Sequence, residues 1–170
     1  MRHPSNIRIL LFTLLTFVGG CMIVEDFGTY WDQGIVDPNL EGSWQSPNGE
    51  CMQYIKINDH YTMQNENLTI KTLPLKNSTY MMMKENESHF LYKYSISDQK
   101  LTLYTPDKSQ REAYQEQYSN QSIVLNDYTV TITTLDASVI DLLEKIGNQP
   151  EFWKKESVSV KQAEACPIAP

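Results

Sequence analysis

The chain is poor in the features that would mark a nucleic-acid binder, a repeat protein or a redox enzyme. Only 14 Lys and Arg stand against 21 Asp and Glu in 170 residues, a net charge of −7. No basic cluster is available to neutralise phosphates, so nucleic acid is not an expected partner. Glycine (7) and proline (8) are sparse, and no period runs through the sequence, which excludes collagen-like and repeat architectures. The three cysteines form no Cys-x-x-Cys pair, which removes the common redox motif. Gly-x-Ser-x-Gly and His-Glu-x-x-His are both absent, and His60 and His89 lie in or beside strand-like runs with no nucleophile motif nearby. The chain therefore does not read as an enzyme, and no catalytic residue, cofactor or metal is expected. Hydrophobic residues make up 41% of the chain and ten residues are Tyr, which suffices for the core of one β-rich domain.

The longest apolar run is short. Arg2, His3 and Arg8 form a basic head, and Ile9 to Val18 follow as ten residues broken only by two threonines, then Gly19, Gly20 and Cys21. A membrane-crossing helix needs about 20 apolar residues, so residues 1–20 read as a signal peptide. Val18-Gly19-Gly20-Cys21 resembles the bacterial lipobox: an aliphatic residue three places before the cysteine, then two small residues that fit a narrow peptidase site. The resemblance implies cleavage before Cys21, a diacylglyceryl thioether on its sulfur and acylation of the new amino terminus. Several acyl chains make a durable membrane anchor. Met22 after the cysteine, where Asp would imply inner-membrane retention, implies an outer-membrane lipoprotein facing the periplasm. Losing residues 1–20 removes Arg2 and Arg8 and leaves 12 basic against 21 acidic residues, a surface that anionic headgroups repel.

In such a compartment disulfides persist, and the two remaining cysteines, Cys51 and Cys166, are the simplest pair. The bond would pin the C-terminal tail by closing a loop of about 115 residues, worth somewhat under about 5 kcal/mol as an upper figure. A buried free Cys51 and a metal site are the alternatives. Met81-Met82-Met83, with Met52, Met63, His60 and His89, offers soft-metal ligands. Consecutive strand residues point to opposite faces, however, so Met82 cannot join Met81 and Met83, and gap-filling core is the simpler role. Asn67, Asn77, Asn86 and Asn120 begin Asn-x-Ser/Thr triplets, read as chance in a bacterial chain rich in these residues.

Residues 22–39 hold Phe27, Tyr30 and Trp31 without a sustained period, and with Cys21 they read as a lipidated N-terminus and spacer (21–39) that docks in part. β-favouring runs then follow at 51–57, 61–64, 68–73, 79–84, 89–96, 100–104, 111–114, 123–126 and 128–134, separated by polar turns. In 90–96, Phe90, Tyr92, Tyr94 and Ile96 share one face opposite Leu91, Lys93 and Ser95. Tyr128, Val130 and Ile132 alternate with threonines. This spacing predicts a mainly β domain over 40–161, a small antiparallel meander closed into a barrel or packed as a sandwich. Leu135, Val139, Leu142, Leu143 and Ile146 fall at helical spacing, so one amphipathic helix is expected over 136–147, with Asp136 as N-cap and Gly147 as its stop. Residues 151–155 could add a helical turn, 157–161 a last strand, and 162–170 a tail.

Gly42-Ser43-Trp44 at the start of the first strand resembles the Gly-x-Trp opening of the lipocalin and wider calycin families. With the order of strands, helix and short strand, the likeness covers about 120 residues. It implies a barrel closed at one end by Trp44 with a ligand-binding calyx, and the inner face read from strand alternation, Phe90, Tyr92 and Tyr94 with Val130 and Ile132, would line either such a pocket or a filled core. A basic residue should stack on the Trp; Arg111 is awkwardly placed for that role, and no other position stands out. Asn126-Asp127-Tyr128 matches the family's Thr-Asp-Tyr element only loosely. The expected function is that of a membrane-anchored envelope lipoprotein, a non-catalytic binding module for an apolar or lipid ligand. The alternative is an inhibitor or assembly accessory that binds another envelope protein and has no pocket.

Overall fold

Short strands with alternating side chains, joined by polar turns, build a closed wall. The structure, a computed structural model, describes residues 21–63, 67–110, 122–125 and 129–166. Its strands are β1 (Cys21–Val24), β2 (Gly42–Gln45), β3 (Cys51–Ile57), β4 (His60–Met63), β5 (Leu68–Leu75), β6 (Ser78–Glu85), β7 (Ser88–Ser97), β8 (Lys100–Pro106), β9 (Ile123–Leu125), β10 (Thr129–Ile132) and β11 (Trp153–Gln162). The helices are α1 (Tyr30–Gln33) and α2 (Ala137–Gly147). Eight strands close an antiparallel barrel in the order β6-β5-β4-β3-β2-β11-β8-β7, with β7 returning to β6. The mainly β barrel and its C-terminal helix are thus as the sequence predicts. The expected strand at 111–114, the element 126–128 and Asn120 lie outside the described residues.

The stretch 21–39 docks far more fully than a spacer would. β1 pairs in parallel with β10 along its whole length and joins β7 through Ile23 opposite Phe90. Met22, Val24 and Phe27 are all buried. Four residues are too few to display a period of two, so this strand had no sequence signal of its own. The helical turn expected at 151–155 is also corrected. Pro150–Phe152 forms a 3-10 turn, and from Trp153 the chain is already strand, because β8 offers it a free edge from Pro106 onward. Cys51 and Cys166 form a disulfide with Cα atoms 5.6 Å apart, tying the tail back to β3.

Two cores share the wall β5-β6-β7. Inside the barrel, Trp44, Tyr54, Tyr61, Ile70, Met81, Tyr92, Tyr94 and Leu101 pack together with Leu40 and Leu68. On the outer face, Leu73, Tyr80, Met82 and Leu91 pack against β1, β10, Trp153 and α2. Helix α2 is fixed at both ends. The Asp136 carboxylate accepts from the Val139 amide at 2.9 Å, an N-cap. At the other end Lys93 Nζ donates to the Gly147 carbonyl at 2.5 Å, and Trp153 Nε1 donates to that of Ile146, which satisfies carbonyls left over by the helix and complements its dipole. Gly147 is required by space: a Cβ there would stand 2.9 Å from that of Ser78.

Candidate functional site

One end of the barrel is closed by a lock of hydrogen bonds. Gly42 has φ +113°, a conformation that side-chain-bearing residues rarely adopt, and it turns the chain into β2. Trp44 then points inward and is fully buried, its Nε1 donating to the Leu40 carbonyl at 2.8 Å. Directly across the β2–β11 ladder, Lys161 places Nζ 5.3 Å from the Trp44 ring centroid and donates to the Asn39 carbonyl. This is the basic partner of the tryptophan that sequence reading could not place. Closure of the barrel between its first and last strands brings it there, and only that non-local pairing could have signalled it. The attraction of ammonium for the ring face is worth about 0.5–1 kcal/mol at exposed sites and more when desolvated.

Residues 27–40 run as a strap up the outer wall and over this end. Phe27 stacks on His89 and Trp31. Lys84 Nζ lies 4.0 Å and Lys71 Nζ 5.5 Å from the Trp31 ring centroid. Burial holds the Lys84 ammonium below its ordinary pKa, opposed by Asp32 and Asp26. Lys71 also donates to Asp59 at 2.7 Å, and chiefly that hydrogen bond, with a second from His60, lowers the Asp59 carboxyl to about 2. Ile35 bridges to Thr72 where β4 has left β5. The chain then turns inward at Asp37, whose carbonyl accepts from Tyr61 Oη at 2.9 Å and whose carboxylate accepts from Tyr94 Oη at 2.7 Å. Burial, reinforced by the negative charges of Glu41 and Asp37, pushes the Tyr61 phenol up to about 12. Burial and the bond to Asp37 push Tyr94 up further. Both stay neutral donors at any physiological pH.

The opposite end differs. Met52 near the start of β3, Met63 at the end of β4, Met83 near the end of β6 and Phe90 near the start of β7 pack onto the inner core but remain half-buried. Met83 is directly opposite both Phe90 and Ile70. Met63, Met83 and Phe90 lie at the end where the β4–β5 and β6–β7 turns are, whereas Met52 is directly opposite Trp44 in the β2–β3 ladder. Of the expected lining residues, Phe90, Tyr92 and Tyr94 do share the inner core. Val130 and Ile132 do not: they sit on β10, outside the barrel, and pack in the outer core. Their alternation with threonines marked a half-buried strand without saying which layer it joined. Met82 likewise falls in the outer core and Met81 in the inner. The methionines read in the sequence first as gap-filling core and only second as soft-metal ligands, and among the described residues no three His, Cys, Asp or Glu side chains gather as a metal site.

Cys21 is the first residue of β1, with its backbone opposite Thr129. No helix among the described residues is long and apolar enough to cross a membrane. No protein-family model matches the chain, and no curated protein or solved structure matches it either.

Proposed function

We propose that this protein is a lipid-anchored lipoprotein of the bacterial envelope, held in the outer membrane and facing the periplasm, and that its barrel is a lipocalin-like, non-catalytic binding module for an apolar ligand. The observation that carries the binding reading is the asymmetry of the barrel. One end is locked by Trp44, Lys161 and the Asp37 strap, and the other ends in the half-buried Met63, Met83 and Phe90. Flexible, polarisable methionines suit an apolar guest of variable shape, and binding sites of small barrels lie at their mouths. The anchor reading is supported by the basic head, the ten-residue apolar run and Val18-Gly19-Gly20-Cys21.

A second reading has its own support. Trp44, Tyr61, Ile70 and Met81 are completely buried inside the barrel, and an eight-stranded barrel can be filled by its own side chains. The protein would then bind an envelope protein through its surface. Native mass spectrometry of the domain, purified from its own envelope, separates the two. A co-purified apolar molecule at near-unit stoichiometry supports the carrier; an unchanged mass with the protein cross-linked to an envelope partner supports the accessory. For the anchor, Cys21→Ser should move the protein from the membrane to the soluble fraction.

A further inference from the structure

The apolar end of the barrel carries a carboxylate on its inner face. Met81 and Met83 belong to the inner core, and side chains alternate along a strand, so Glu85 at the end of β6 shares their face. The ladder agrees: Glu85 is directly opposite Leu68, which is 5% exposed in that core, and on its other side opposite Ser88. One row deeper, Ile70, Met83, Phe90 and Ile23 stand in register across β5, β6, β7 and β1. Glu85 is half-buried, and among the described residues it has no hydrogen bond or ion pair. Its neighbour Lys84 faces the outer wall, with its ammonium over the Trp31 ring. Lys154, exposed at the start of β11, is three strands away round the wall. The lip that bears Glu85 is fixed, because Asn67 beside the β4–β5 turn donates to Asn86 Oδ1 in the β6–β7 turn at 2.9 Å.

We infer that the ligand of this mouth is a cationic amphiphile, an apolar chain ending in an ammonium or guanidinium group, with the chain against Met63, Met83 and Phe90 and the cation paired with Glu85. This rests on the carrier reading proposed above and narrows it. A half-buried carboxylate without a partner has lost part of its hydration, and an incoming cation restores what burial removed. An anionic amphiphile would set its own charge against Glu85 at the edge of an apolar core, where like charges repel more strongly than in water. A neutral chain gains the apolar contacts and leaves Glu85 unpaired. Glu87 on the same turn and Glu50 at the end of the β2–β3 turn are exposed at this end of the barrel, and their charge raises the local concentration of cations before contact.

The test titrates the full protein, purified from its own envelope and freed of bound molecules, with octylammonium, octanoate and octanol, read by calorimetry at low and high salt. Octylammonium should bind about tenfold more tightly than octanoate at low salt, with octanol between them, as one partly buried charge pair implies. Added salt should narrow that gap. Glu85→Gln keeps the side chain's shape and should bring octylammonium down to the affinity of octanol while octanol itself is unchanged. Asp98→Asn removes the same charge from the exposed β7–β8 turn at the far end of the barrel and should leave all three affinities as they were. Octanoate bound as tightly as octylammonium, or equal losses from Glu85→Gln and Asp98→Asn, overturns the cationic ligand and leaves the apolar mouth standing. If none of the three probes binds, the carrier reading itself fails and this inference with it.

Discussion

The two cores on either side of β5-β6-β7 are made from the same strands and held together differently. The inner core is aromatic and hydroxyl-bearing, and its polar atoms bond to the strap: Trp44 to Leu40, Tyr61 and Tyr94 to Asp37. The outer core is aliphatic around α2, its Tyr80 hydroxyl and Trp153 indole bond to the helix carbonyls of Leu143 and Ile146, and lysines lie over rings at its border. Lys93 sits 5.0 Å from the Trp153 centroid and 5.2 Å from that of Tyr104, with burial lowering its pKa. A closed barrel leaves little strand edge to bond with, so beyond the single backbone bridge of Ile35 with Thr72 the capping segment is held by side-chain hydroxyls and an indole. The outer face holds its helix by apolar packing and by hydrogen bonds from Tyr80, Lys93 and Trp153 to carbonyls in the last turns of α2, and long amphipathic lysines close its margin. The Met81-Met82-Met83 run is the signature of the shared wall: buried on both faces, it reads as continuously apolar.

The sharpest way to break this contrast is Trp44→Ala. It should cost about 3–5 kcal/mol and expose the barrel interior, measured by denaturant unfolding. Leu143→Ala, 1% exposed in the outer core, should cost about 2–4 kcal/mol and loosen α2 while the barrel keeps its far-UV signature. The two substitutions lie in separate cores, so the double variant should be additive within about 0.5 kcal/mol; strong coupling would show that the wall transmits strain. Cys166→Ser should lose about 2–4 kcal/mol under oxidising conditions and match the parent protein in reductant. Gly147→Ala, which drives a methyl toward Ser78, should cost about 1–3 kcal/mol by overpacking, read as a lowered Tm.

The smallest effect is at the α2 cap. Asp136→Ala should cost about 1 kcal/mol at neutral pH. Hydrogen bonds from Ser138, the Val139 amide and Ser122 hold the Asp136 carboxyl below its usual 3.8. Its contribution is therefore full above that unfolded value and is lost as pH falls through the lower folded one. Asp136→Asn should keep most of the cap while removing this acid-side dependence, a difference visible in Tm measured from pH 5 down to 2.

Much of the barrel was legible because its determinants are local. Period-two alternation and polar turns placed β3 at Cys51–Ile57 and bounded the hairpins up to β8, and the 3.6-residue spacing of Val139, Leu142, Leu143 and Ile146 placed α2. Less of the candidate site could be read. Alternation in 90–96 identified the inward face of Phe90, Tyr92 and Tyr94, but it suggested a solvent-facing opposite side. Leu91 is in fact 1% exposed there and Lys93 is half-buried beneath α2 and Trp153.

The sequence alone therefore determined the strand content, the helix and its Asp136 cap, and the one plausible disulfide pair, because each follows from neighbouring residues or from a count. Only the tertiary structure decided that β1 belongs to the sheet, that Val130 and Ile132 sit outside the barrel, and that Lys161 meets Trp44. Each of these depends on which distant strands pair. Pairing is chosen by closing the whole barrel and burying both faces of one wall, and no short window of sequence contains that condition.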